Sequence, residues 1–87
     1  MLKEKLTAVG FTDLQAKVIE NQCKTSNFTF YGTGEVCGIS NVRFKIQTFF
    51  AMLTNNDIAA LNNAGLSIVI YYNELTKTLF IDFKAFN

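Results

Sequence analysis

The period at which apolar side chains recur changes once along this chain, and that change limits the folds open to it. Up to Lys24 the apolar residues follow the 3.6-residue repeat of a helix, whereas from Asn27 onward they alternate as strand residues do. Helices followed by strands predict an α+β fold, with helices packed on a small, mainly antiparallel sheet.

In the helical part, Leu2, Leu6 and Val9 form an apolar stripe over Lys3, Glu4 and Lys5, and Gly10 stands where a left-handed C-terminal cap belongs. Thr12 is a natural N-cap with Gln15 three residues on, so a second helix is predicted from Asp13 to about Lys24. Asp13, Lys17, Glu20 and Lys24 gather on its wet face, while Leu14, Ala16, Val18, Ile19 and Cys23 form the apolar arc. Gln22 projects into that arc and is expected to satisfy its amide internally, on a backbone group at the core margin. The segment from Leu6 to Ala16, with Gly10-Phe11 in the joint and Gln15-Ala16 after it, resembles the Gly-Phe loop of ubiquitin-associated domains. Those domains are helical bundles, and this chain turns to β character after Lys24. The resemblance therefore implies a short αα-hairpin and carries over no ubiquitin-binding residue.

In the alternating part, Phe28 and Phe30 against Thr29 and Tyr31, then Gly32-Thr33-Gly34 as punctuation before Glu35-Val36-Cys37, read as a β-hairpin. Val42, Phe44 and Ile46 alternate with Arg43, Lys45 and Gln47, which predicts a strand over 42 to 49. The competing pattern, Val42, Ile46, Phe49, Phe50 and Leu53, would line a helix instead. Thr54 with Asp57 forms a second capping box, and Ile58, Leu61 and Ala64 recur helically until Gly65. The run from Ser67 to Tyr72 is apolar on both faces and reads as a central strand, followed by a turn from Asn73 to Lys77 and a last strand from Thr78 to Phe83. In that last strand Leu79, Ile81 and Phe83 alternate with Phe80 and Asp82, which are expected on a wet face. The expected order is ααβββαββ, within one domain spanning residues 1–87.

A chain of 87 residues and 9.8 kDa should expose roughly 5,200 Å² when folded against roughly 14,200 Å² unfolded. Nine Phe and three Tyr give that modest core large rings to bury. Eight Lys+Arg against seven Asp+Glu leave a formal charge of +1, which holds neither a polyanion nor a membrane surface by field alone. Cys23 and Cys37, with no histidine in the chain, cannot complete a tetrahedral zinc site. They are expected as buried free thiols in a reducing, cytoplasmic setting, because the opening residues do not read as a secretory leader. No cofactor is expected.

Without histidine, the commonest general base is missing, and the acids Glu4, Asp13, Glu20, Glu35, Asp57, Glu74 and Asp82 form no catalytic pair by spacing. No enzymatic activity is expected. The glycines of Gly32-Thr33-Gly34 and Gly38 miss the dinucleotide-loop spacing by one residue. Abundant Phe, Asn, Ile, Lys and Tyr, with one Arg and no Pro, fit AT-rich coding of the kind found in phages and low-GC bacteria. The expected function is a stand-alone protein–protein interaction module, a phage-type modulator or inhibitor of a host protein, with Arg43, Lys45, Tyr71, Tyr72, Phe83 and Phe86 as candidate partner-binding residues. The alternative is a nucleic-acid-binding regulator using Arg43 and Lys45, in one of two forms. A winged-helix form would use 42 to 53 as its recognition helix; a single-strand stacking form would set the two cations beside Phe28, Phe30 or Tyr31. Both cations are expected to be exposed and dispensable for folding. Self-association as a homodimer is also expected, through an exposed strand at the C-terminal edge, because Tyr71, Tyr72, Phe80, Phe83 and Phe86 exceed what so small a core covers.

Overall fold

The computed structural model describes residues 1–46 and 53–86. Its elements run α1 (Leu2–Ala8), α2 (Asp13–Ser26), β1 (Thr29–Val36), β2 (Ile39–Ile46), α3 (Asn55–Asn63), β3 (Ser67–Asn73) and β4 (Thr78–Phe86). The chain is an α+β protein, in the order ααββαββ.

Two helix ends share one construction. After α1, Gly10 at φ 108° donates to the Thr7 carbonyl at 3.1 Å and Phe11 donates to Leu6 at 3.2 Å. After α3, Gly65 at φ 81° donates to Asn62 at 2.9 Å and Leu66 donates to Leu61 at 3.0 Å. Both are Schellman caps, which need a left-handed residue that glycine supplies without a Cβ clash. In each, the residue after the glycine packs beside the one it bonds: Leu6 with Phe11 and Leu61 with Leu66 are all buried. The helix starts are equally local. Thr12 with Gln15 and Thr54 with Asp57 close the two predicted capping boxes. In the second, the Thr54 N–H donated to the carboxylate holds the Asp57 pKa below its usual value. Gln15 then spends its amide nitrogen on the Ala64 carbonyl at 3.0 Å, tying the start of α2 to the end of α3.

The strands form one antiparallel sheet in the order β1-β2-β4-β3. Where the sequence suggested two short strands around Gly32-Thr33-Gly34, β1 runs unbroken through the glycines. The turn lies instead at Cys37-Gly38, between the paired Val36 and Ile39. Both turn residues have positive φ, 54° and 80°, as a type I′ turn requires, and Glu35 Oε1 accepts the Gly38 N–H at 2.8 Å. The predicted strand from 42 to 49 is realised as Ile39–Ile46, and its last three positions lie outside the described residues. A recognition helix from 42 to 53 is excluded over 42–46, which pair on both sides within the sheet. β3 is an edge strand rather than the central strand its apolarity predicted; β2 and β4 occupy the centre.

The helices cover one face of this sheet. Val42, Phe44 and Ile46 from β2 and Ile81, Phe83 and Ala85 from β4 meet Leu6, Phe11, Ala16, Ile19, Leu61 and Leu66 in a single core. Phe44 is at its centre, with ring centroids of Phe28, Phe30 and Phe83 at 6.1, 6.2 and 5.8 Å. Buried polar groups are paired: Ser40 Oγ donates to the Val9 carbonyl at 2.7 Å, and Gln22 Nε2 to Ser26 Oγ at 2.6 Å. Gln22 is thus satisfied internally as expected, though on a side chain rather than a backbone group. The surface is 5501 Å² and the radius of gyration 12.2 Å, close to the roughly 5,200 Å² and ~12.0 Å expected of one compact unit of this size. Among the described residues, no helix is long and apolar enough to cross a membrane.

Candidate functional site

Among the described residues, the other face of the sheet carries no helix, and the strand register sets its side chains out in cross-strand rows. Thr29, Lys45, Phe80 and Tyr71 form one row; Gly32, Arg43, Asp82 and Val69 the next; Gly34, Asn41, Lys84 and Ser67 the third; and Val36, Ile39 and Phe86 close the corner. A register shift between Phe30 and Gly32 places Tyr31 as an extra residue on the edge strand, where its ring meets Phe80 edge-on at 5.0 Å.

Arg43 dominates the second row. Its Nε donates to Asp82 Oδ1 at 2.9 Å and its Nη2 to Oδ2 at 3.1 Å, a bidentate pair between residues directly opposite in register. Asp82 is 3% exposed, although its alternation placed it on the wet face. The cover comes from the guanidinium and the rings around it: Arg43 Cζ lies 4.6 Å from the Tyr71 centroid and 5.5 Å from that of Phe80. The pKa of Arg43 is raised above its ordinary value, first by the hydrogen bond it gives Asp82. Its charge is therefore balanced by Asp82, with the guanidinium side chain still partly exposed.

Beside this cluster, Gly32 and Gly34 leave the face open. A Cβ built on either meets nothing within 4 Å. The resulting trough encloses about 460 Å³, with Tyr31 and Arg43 at one end, Val36 and Ile39 at the other, and Lys84 along its side. Lys84 is oriented by its Nζ donating to Asn41 Oδ1 at 2.9 Å. A second, smaller depression of about 280 Å³ lies across the aromatic cluster, reaching Lys45 and Asn73. Glycine inside a strand commonly marks a place where another backbone or ligand approaches closely. The glycines were visible in the sequence, but read as a turn they gave no sign of this.

The six candidate residues divide in three ways. Arg43, Lys45, Tyr71 and Phe86 lie on the open face, with Phe86 72% exposed at its corner. Tyr72 belongs to the opposite face, on the exposed edge strand. Phe83 is completely buried in the core, so it presents nothing to a partner, and the same burial removes it from any dimer seam. Phe28 is likewise buried and Phe30 packs against the core, whereas Tyr31, the third ring the stacking alternative named, lines the same depressions as Arg43. Comparison with protein-family models, curated proteins and solved structures returns no match. What the face can do must therefore be read from its own chemistry.

Among the described residues, no three carboxylate or thiol side chains gather to hold a metal ion. Cys23 is half-buried, and burial, with Glu20 nearby, pushes its thiol pKa up. Cys37, expected to be buried, is exposed at the tip of the first hairpin because the two-residue turn leaves it no neighbour strand to pack against.

Proposed function

We propose that the chain is a protein-interaction module that receives its partner on the open face of the sheet, as a small modulator or inhibitor of that protein would. The observation that carries this reading is the glycine-floored trough, with apolar Val36, Ile39 and Tyr31 at its ends and the cations Arg43 and Lys84 beside it. It suits a partner segment that inserts an apolar side chain over Gly34 and sets a carboxylate near Lys84. Rings held rigid by neighbours lose little conformational freedom on binding, and Tyr31, Tyr71 and Phe80 are so held.

The test compares capture by the wild type and by Gly34→Val from the source organism's extract, with circular dichroism of both. The expected result is one partner retained by the wild type and lost by the folded variant. Retention of that partner by a folded Gly34→Val chain would remove the trough from the interface. A salt series of fluorescence anisotropy with generic single- and double-stranded probes covers the alternative. Submicromolar binding at physiological salt, lost in Lys45→Glu, Lys84→Glu, would favour nucleic acid instead.

A further inference from the structure

We infer that β3 is the seam of a twofold homodimer, in which two copies pair this strand antiparallel to itself and join their sheets into one. The inference goes beyond the open-face reading and rests on a different part of the surface.

The two edges of the sheet are built differently. The β1 edge is interrupted by the extra residue at Tyr31 and carries Glu35 near its end. Bulges and charges are the devices by which exposed edges avoid pairing with other chains. The β3 edge has neither. Its pairing with β4 runs without interruption from Ser67↔Lys84 to Asn73↔Thr78, and its sequence, Ser-Ile-Val-Ile-Tyr-Tyr-Asn, contains no charge and no proline. Val69, Ile70 and Tyr72 are 42%, 53% and 38% exposed, on both faces of the strand. An uninterrupted, uncharged, apolar edge is the kind that serves as a template for a further strand.

The strand is also complementary to itself. An antiparallel twofold centred on Ile70 sets Ile70 against its own copy, Val69 against Tyr71, Ile68 against Tyr72 and Ser67 against Asn73. Each β-branched flank then meets an aromatic ring on the same face, the cross-strand combination that stabilises sheets, and no like charges are opposed. Moving the centre one residue to Tyr71 would set Ile68 against Glu74 and Val69 against Asn73. Moving it to Val69 would set Tyr71 against Ser67. The Ile70-centred register alone keeps apolar with apolar along the strand. On the open side it also extends the contact of Phe80 with Tyr71, whose centroids are 5.4 Å apart, to the second copy's Val69. Of the aromatic residues the sequence offered for a seam at the C-terminal edge, Phe80 and Phe83 are buried and lie on β4, which is central. The available edge is the strand before it.

The test is sedimentation equilibrium at high micromolar concentration with the full chain, together with disulfide trapping. The wild type is expected at twice 9.8 kDa, and Ile70→Lys, with unchanged circular dichroism, at the monomer mass, because the twofold would bring the two lysines face to face. For trapping, Cys37 is first replaced by Asn. Ile70→Cys should then crosslink in nearly all chains on mild oxidation, since its two copies face each other. Tyr72→Cys should not, because its copy lies four residues, about 13 Å, further along the strand. A monomeric wild type at that concentration overturns the inference. So does a dimer that persists in folded Ile70→Lys, equal crosslinking at both positions, or oligomers that keep growing with concentration, since a twofold seam closes on two copies. Should Ile70→Lys fail to fold, the trapping pair decides alone.

Discussion

Arg43 and Asp82 face each other across the two central strands, joined by two hydrogen bonds of 2.9 and 3.1 Å, with the carboxylate 3% exposed and the guanidinium side chain 35% exposed. The pair therefore belongs to the seam of the sheet and is not surface decoration. Removing the cation leaves a nearly buried carboxylate without its partner. Since the guanidinium is partly solvated, Arg43→Met is expected to cost about 2–3 kcal/mol, below the usual range for a fully buried pair. Arg43→Glu should cost more, contrary to the expectation that this residue is dispensable. Urea denaturation checks both, and Arg43→Met, Asp82→Leu should recover most of the loss.

Cys37 holds φ 54°, a left-handed conformation in which side chains other than Asn, Asp and Gly are strained. Cys37→Asn converts the turn to Asn-Gly, the preferred type I′ pair, and should raise stability by about 0.5–1 kcal/mol. An upward shift of the urea midpoint at constant slope is the expected reading.

The two thiols should differ in rate. Cys37 is exposed, whereas Cys23 is half-buried and its Sγ donates to the Phe28 carbonyl at 3.3 Å. A raised pKa means less thiolate at a given pH, so Cys23 should react at least roughly tenfold more slowly with a disulfide reagent near pH 8. Its rate should keep climbing at higher pH. After unfolding without reductant both should titrate together.

Filling the trough should leave the fold intact. Gly34 has no positive φ and open space above it, and glycine weakens a strand interior relative to residues with a side chain. Gly34→Val is expected to be neutral or to stabilise by about 0.5 kcal/mol. A large loss of stability would show that the space above Gly34 is not free.

The parts of this structure that were legible in the sequence are those decided within a few residues. Thr12 with Gln15, Thr54 with Asp57, Gly10 and Gly65 announced helix ends because capping is local hydrogen bonding. The alternation of Val42, Phe44 and Ile46 gave the buried face of β2. What stayed hidden depends on distant neighbours. Ser67 to Tyr72 looked central because both its faces are apolar, but strand order is set by which strands meet, and no pattern within the strand reports that. Asp82 looked wet because only the fold brings Arg43, Tyr71 and Phe80 over it. Cys37 gave no turn signal, so Gly32 and Gly34 took the role of punctuation and the open trough went unseen.

The sheet order β1-β2-β4-β3 makes this chain two hairpins zipped along one line. Within each hairpin the strands close over a short loop, at Val36↔Ile39 and Asn73↔Thr78, whereas Arg43 and Asp82 on the line between them are 39 residues apart in sequence. Loop-closure entropy favours an order of assembly in which the hairpins form before they join along β2 and β4. A chain cut between Ile46 and Leu53 keeps each hairpin whole, so its halves should find each other when mixed and regain the β-sheet circular dichroism of the intact protein. The same line that holds the fold together is thus where it can be divided and rebuilt.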